Sequence, residues 1–134
     1  MEPVAFLQKP YRWLKAVSDH GASLTAAPNF AYQLCIDRIT DEQLKTLNLS
    51  HLRIALSGAE PVRKQTIEDY SNKFAATGFK PQSFYPAYGM VESTLLVIGG
   101  ECDALTLSVA VEAKALQADT IIITESNEQS ISVL

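Results

Sequence analysis

The stretch Leu52-Arg53-Ile54-Ala55-Leu56-Ser57-Gly58-Ala59-Glu60-Pro61 decides the fold of this chain. Its first five residues carry apolar side chains on both faces, which is typical of a strand buried inside a parallel sheet. Pro61 then begins the longest amphipathic pattern of the chain, and Gly78 ends it. A buried strand that leads through a turn of small residues into a helix is the repeating unit of an α/β fold.

The same unit occurs on both sides of this stretch. Upstream, residues 22–27 are predicted to form a strand that Pro28 ends, and a helix is predicted over residues 30–38. Downstream, residues 83–85 are predicted to form a strand and residues 90–97 a buried helix. The sequence therefore predicts an α/β fold, with a layered sheet and flanking helices.

Two further helices are indicated by their end signals. Residues 11–17 form an amphipathic pattern with a proline before it and a glycine after it. Thr40 and Gln43 have the spacing of a capping box, which predicts a helix over residues 41–47.

The pattern changes after Gly100. Strand-like patterns follow over residues 105–111, 121–123 and 131–134. We expect two parts, a core over residues 1–100 and a partial, truncated β-rich extension over residues 101–134.

Composition and charge narrow the class of protein. The 134 residues are 47 % hydrophobic and 19 % charged, as in globular domains. The net charge of −4 argues against nucleic acid and anionic membranes as partners, because both would repel the chain. The longest apolar run, residues 94–100, is far too short for an integral membrane segment, and the first residues lack a signal-peptide pattern.

The cysteines and histidines do not indicate a metal site. Cys35 and Cys102 are isolated, which favours free buried thiols in a reducing compartment, so we expect a cytoplasmic protein. His20 and His51 lie far apart without a ligand pattern, and no zinc site is predicted.

Candidate binding residues follow the strand over residues 52–56. Gly58 and Ala59 are small, so the backbone there can approach a flat ring and offer amide donors. Glu60 is expected at a helix N-terminus, where the helix dipole alone favours a carboxylate by about 0.3–1 kcal/mol. That effect explains Glu60 without any ligand.

A second candidate motif, Tyr88-Gly89-Met90-Val91-Glu92, follows the next predicted strand. Tyr88 offers an aromatic face for a purine, and Gly89 lets the chain turn. Glu92 supplies the kind of oxygen ligand that Mg²⁺ prefers. Alone, this pattern is also explained by a strand end, a turn and a helix start, but both motifs in order, about thirty residues apart, favour a site.

The two motifs resemble those of the adenylate-forming, AMP-binding enzymes, and within them the fatty acyl-AMP ligases. The segments Pro3-Val4-Ala5-Phe6-Leu7-Gln8-Lys9-Pro10-Tyr11-Arg12-Trp13-Leu14 and Pro28-Asn29-Phe30-Ala31-Tyr32-Gln33-Leu34-Cys35 are similar to their acyl-pocket region. The resemblance implies a central fragment of the large N-terminal domain of a ligase. Such a ligase activates a fatty acid with ATP to acyl-AMP and transfers the acyl group to an acyl carrier protein.

The resemblance also implies roles for individual residues. Adenine and α-phosphate contacts are implied for Gly58, Ala59, Glu60, Tyr88, Gly89 and Met90. Ala87 is implied to lie near the reacting carboxylate, and Glu92 is implied to bind Mg²⁺. Phe30 and Tyr32 are implied to line the acyl tunnel, although aromatic residues on a helix are more often plain core.

Some features depart from the family pattern. Val91 stands where most of the superfamily has threonine, and these 134 residues contain no Ser/Thr/Gly-rich phosphate loop followed by lysine. We therefore expect little activity from the chain without the missing N- and C-terminal parts of a ligase. The alternatives are a fragment of an acyl-CoA ligase or an amino-acid-activating domain, and a non-catalytic remnant or interaction module.

Overall fold

The computed structural model describes residues 2–89, 98–99, 103–124 and 130–133. In chain order, the elements are α1 (Pro3–Gln8), α2 (Tyr11–Asp19), β1 (Leu24–Ala27), α3 (Asn29–Arg38), α4 (Asp41–Leu44), β2 (Ile54–Ser57), α5 (Lys64–Phe74), two 3₁₀ turns (Ala75–Thr77 and Pro81–Ser83), β3 (Phe84–Tyr88), β4 (Ile98–Gly99), β5 (Val109–Glu112), α6 (Ala113–Gln117), β6 (Ile123–Thr124) and β7 (Ser130–Val133). The predicted helix over residues 90–97 lies outside the described residues.

The first sheet has the strand order β1-β2-β3-β4. The first three strands are parallel, with Ala27 opposite Ser57 and Ser57 opposite Pro86. Their carboxyl ends therefore lie at one edge of the sheet. The short strand β4 pairs antiparallel with β3, and the sequence patterns did not predict this pairing.

An aromatic core joins the sheet to its helices. Tyr32 of α3, Tyr70 and Phe74 of α5, and Phe84 of β3 are at most 2 % exposed. The rings of Tyr70 and Phe74 stack at 4.3 Å, and that of Tyr32 lies 4.8 Å from that of Phe84. Because a fully buried large apolar side chain contributes about 1.5–3 kcal/mol, this cluster stabilises the α/β layers strongly.

A second, antiparallel sheet has the strand order β6-β5-β7. The segment before it meets the first sheet through an Arg53–Asp103 ion pair of 3.0 Å and a hydrogen bond of 3.2 Å from Thr106 Oγ1 to the Phe84 carbonyl. The division into parts over residues 1–100 and 101–134 stays a prediction.

Several expected end signals are confirmed. Thr40 and Gln43 form both hydrogen bonds of the capping box, and Gly78 takes the left-handed conformation after the 3₁₀ turn. Other bounds were wrong. The helix α4 ends at Leu44, α5 begins at Lys64 rather than at Pro61, and β5 begins only at Val109.

The described residues contain no helix that is both long and apolar enough to cross a membrane.

Candidate functional site

Three loops meet at the carboxyl edge of the parallel strands. They follow β1, β2 and β3, and the strand register brings their starting points side by side. In open α/β sheets, ligands bind at this edge, in the crevice beyond the strand ends. The loop of Gly58, Ala59 and Glu60 lies there, and so do Tyr88 and Gly89, the described part of the second motif.

The loop after β2 contacts the end of β3 at Gly58. This glycine is buried, and a Cβ atom added to it would lie 2.7 Å from the backbone oxygen of Ala87. Real side chains do not tolerate that distance, so only glycine lets the loop after β2 approach the end of β3 so closely. The structure thus brings Gly58 and Ala87, two of the candidate site residues, together.

Ala59 adopts a left-handed backbone conformation with φ of +65°. Such a conformation is strained in a residue with a Cβ atom and persists only where the surroundings hold it. Sequence reasoning missed it, because the glycine beside it was the obvious position for an unusual conformation. The side chains of Ala59 and Glu60 are exposed.

Glu60 does not lie at the start of α5, so the expected dipole effect of that helix was wrong. Its Oε1 instead accepts a hydrogen bond of 2.6 Å from the backbone nitrogen of Phe30, in the first turn of α3. A carboxylate is favoured at the positive end of a helix, and here that helix is α3.

Asn29 is a site-edge residue that the sequence analysis missed. It is buried at the first position of α3, where its Oδ1 accepts from the backbone nitrogen of Arg63 at 3.1 Å. Its Nδ2 donates to Thr66 Oγ1 at 3.4 Å, and the Thr66 hydroxyl donates to Gln33 Oε1 at 3.0 Å. The only signal in the sequence is a polar residue directly after Pro28, and it does not reveal these partners.

Tyr88 ends β3 with its ring 58 % exposed at the same edge. Gly89 follows it and is also exposed, whereas Ala87 is half-buried. An exposed aromatic face beside loop backbone groups suits a flat heterocyclic ring. The predicted site residues Met90 and Glu92 lie outside the described residues.

The two aromatic residues of α3 differ in their surroundings. Phe30 is 48 % exposed at the strand-end edge, whereas Tyr32 is fully buried. The Tyr32 hydroxyl donates to the Leu56 carbonyl at 2.8 Å, and burial raises the pKa of this phenol well above its usual range. Tyr32 therefore has a structural role in the core, and the acyl-tunnel role of both residues stays a prediction.

No cluster of three or more histidine, cysteine or carboxylate side chains that could hold a metal ion occurs among the residues the structure describes. A cavity of about 310 Å³ lies between α5 and the segment near Thr106. None of the described residues at the strand-end edge lines this cavity.

The chain matches known proteins over nearly its whole length. The family model described as AMP-binding enzyme matches residues 1–125. The chain is 38 % identical, over all of its 134 residues, to 21 % of the medium-chain-fatty-acid–[acyl-carrier-protein] ligase TtuA of Teredinibacter turnerae. It is 41 % identical, over 96 % of its length, to 22 % of the ligase JamA of Moorena producens, which has the same description.

Solved structures show the same likeness. The fatty acyl-adenylate ligase of Legionella pneumophila, in complex with acyl adenylate and pyrophosphate, superposes with a TM-score of 0.92 and 36 % identity. That match covers 99 % of this chain and 24 % of the ligase. The chain spans about a fifth of the length of the curated relatives that it matches. It belongs to the AMP-binding enzyme family, in the segment that it shares with the fatty acyl-AMP ligases.

Proposed function

We propose that this chain is part of a ligase that activates a fatty acid with ATP and passes the acyl group to an acyl carrier protein. One observation carries the proposal: the Gly58 loop touches the end of β3 at Ala87, beside the exposed ring of Tyr88. For a chain of the AMP-binding family, we propose this edge as the place of the nucleotide, because ligands of open α/β sheets bind beyond the strand ends.

The proposed reaction has two steps. A carboxylate oxygen of the fatty acid attacks the α-phosphorus of ATP, the bond to the β-phosphate oxygen breaks, and acyl-AMP and pyrophosphate form. The phosphopantetheine thiol of the carrier protein then attacks the acyl carbon and releases AMP. The choice of acceptor is supported by the relatives TtuA and JamA, which are named for transfer to acyl carrier protein.

Each strand-end residue has a proposed role in this reaction. The Tyr88 ring stacks on adenine, and the backbone of Gly58 and Ala59 lies along the ring's edge. Gly89 and Met90 lie beside the α-phosphate, and Ala87 leaves room for the reacting carboxylate. Phe30 begins the acyl-binding surface, for which its exposure at this edge is the support.

Mg²⁺ would offset the charge of the phosphates when bound. Among the described strand-end residues, Glu60 carries a carboxylate that could bind a metal ion, but this carboxylate already accepts a hydrogen bond from the Phe30 amide. The described residues alone therefore do not form a metal site. We propose Glu92 as the ligand.

We propose that activity requires further polypeptide, because the relatives are about five times longer than this chain. The N- and C-terminal parts of such a ligase are the proposed partners. A cytoplasmic location is also part of the proposal, and the buried free thiol of Cys35 is consistent with a reducing compartment.

The test is a chimera in which this chain replaces the matched segment of the Teredinibacter ligase. We expect fatty-acid-dependent exchange of pyrophosphate into ATP. Replacing Glu92 by alanine should lower this exchange at least about tenfold, since metal sites depend steeply on their ligands. The matched control is Glu68→Ala, which removes an exposed carboxylate on α5.

Each other result assigns a different function. Normal exchange in Glu92→Ala would remove this residue from the mechanism. Exchange that depends on an amino acid would indicate an amino-acid-activating domain, and transfer to coenzyme A an acyl-CoA ligase. A folded chimera without exchange would support the non-catalytic alternative.

A further inference from the structure

Two hydrogen bonds fasten residues 58–63, the loop between β2 and α5, to the first turn of α3. Glu60 Oε1 accepts from the Phe30 nitrogen at 2.6 Å, and Asn29 Oδ1 accepts from the Arg63 nitrogen at 3.1 Å. One bond runs from a loop side chain to the helix backbone, and the other from a helix side chain to the loop backbone. We call this pair of hydrogen bonds the loop anchor.

Of the two helix residues in the loop anchor, Asn29 is the buried one. Asn29 is 6 % exposed, and its Nδ2 donates to Thr66 Oγ1 at 3.4 Å. Thr66 in turn donates to Gln33 Oε1 at 3.0 Å. Because a buried amide must satisfy both of its ends, these partners hold the Asn29 oxygen toward the loop.

The conformation of the loop depends on such support. Ala59 has a φ of +65°, and it lies between the close contact of Gly58 with Ala87 and the anchored Glu60. A strained residue relaxes when its neighbours are released. Loss of the loop anchor should therefore move the backbone of Gly58 and Ala59.

We infer that Glu60 and Asn29 are positioning residues, an inference that rests on the proposed function. They hold the backbone of the loop beside Tyr88, so that the nucleotide meets a preformed edge. The Glu60 carboxylate binds protein backbone and leaves the nucleotide contact to its neighbours in the loop. Preformed contacts raise affinity because less conformational freedom is lost on binding.

The loop anchor also links two parts of the site. Its amide donor belongs to Phe30, whose exposed side chain is the proposed start of the acyl-binding surface. The loop on the nucleotide side and the helix on the acyl side are thus held as one unit.

The experiment compares Glu60→Ala with Glu60→Gln in the chimera with the Teredinibacter ligase. Glu60→Ala should raise KM for ATP about tenfold, as expected for loss of one hydrogen bond to a charged group, and should change kcat much less. It should also speed amide hydrogen exchange in residues 29–33. Glu60→Gln should restore both properties, because its side-chain oxygen still accepts from the Phe30 amide.

The control variant is Glu68→Ala, which should leave KM and amide exchange unchanged. The inference is overturned if Glu60→Ala changes neither property. It is also overturned if Glu60→Gln raises KM as much as Glu60→Ala while amide exchange in residues 29–33 stays slow, since the charge would then act directly on the nucleotide. If Glu60→Ala does not fold, the KM for ATP and the amide exchange of Glu60→Gln are compared with those of the unmodified chimera, and this comparison decides.

A failure of the proposed function gives a different result. An unmodified chimera without exchange of pyrophosphate into ATP rejects the proposed function. Amide exchange of residues 29–33 still decides the loop anchor in that case: faster exchange in Glu60→Ala supports it, and unchanged exchange overturns it.

Discussion

At the scale of single residues, Gly58 and Ala59 divide two tasks that one glycine often performs. Gly58 supplies the space, because its missing Cβ lets the Ala87 carbonyl approach. Ala59 supplies the turn, with a φ of +65°. The loop therefore depends on a side chain that is absent at one position and on a strained backbone at the next.

Replacing Gly58 by alanine should destabilise the chain by about 1–3 kcal/mol, the usual range for forcing an extra methyl group into a packed site. The added Cβ would meet a backbone oxygen at 2.7 Å, so β2 and β3 must separate at this edge. Urea unfolding measures the change, and in the chimera the exchange activity should fall with it.

The matched control is Ala59→Gly, next in the sequence. Glycine relieves the left-handed strain but gives the unfolded chain more freedom, so the two effects offset to within about 1 kcal/mol. Equal stabilities for Gly58→Ala and the unmodified chain would show that Gly58 does not contact the backbone oxygen of Ala87.

At the scale of elements, the junction of α3 and α5 contains buried polar groups beside the hydrophobic core. Thr66 is 1 % exposed, and its hydroxyl both donates and accepts across the junction. Ser71, five residues further along α5, is also buried, but its hydroxyl has no hydrogen-bond partner within the described part of the chain, and the same holds for the Tyr70 hydroxyl. One helix thus carries both satisfied and unsatisfied hydroxyls.

The variant Thr66→Val keeps the shape of the side chain and removes its hydrogen bonds. It should cost about 1–3 kcal/mol, because the Asn29 amide stays buried without this partner. Ser71→Ala should be neutral or stabilising, since it removes a polar group that gains nothing from burial. Urea unfolding of both variants tests the pair, and equal losses would contradict the hydrogen-bond assignment.

At the scale of the whole molecule, the core contains ionisable groups whose charged form is disfavoured by burial. Burial raises the pKa of the Cys35 thiol from 9.0 to about 12, and it raises the pKa of Tyr32 and Tyr70 above their usual range. Folded and unfolded chains therefore differ in bound protons at alkaline pH.

Stability should fall as pH rises from about 9 toward 12. In this window the unfolded chain releases the Cys35 proton and the folded chain keeps it, so higher pH favours unfolding. Urea midpoints measured across the window test this. Cys35→Ala should weaken the dependence of the urea midpoint on pH and leave the part of it that Tyr32 and Tyr70 cause. An unchanged dependence would exclude the thiol as a contributor.

Much of this protein followed from local patterns in the sequence. The apolar strand over residues 52–56, the capping box at Thr40 and the glycine after α5 each depend on neighbours within a few residues, and each predicted an element that the structure contains. The placement of the Gly58 loop and Tyr88 at one sheet edge also followed, because parallel strands put their carboxyl ends together.

Other features were decided by tertiary structure alone. The partner of Glu60 lies thirty residues away, and the short strand β4 turns back against β3. The burial of Asn29 and the strain at Ala59 likewise depend on which elements pack together. Sequence patterns report periodicity over a few turns, whereas these contacts are set by the relative positions of whole strands and helices.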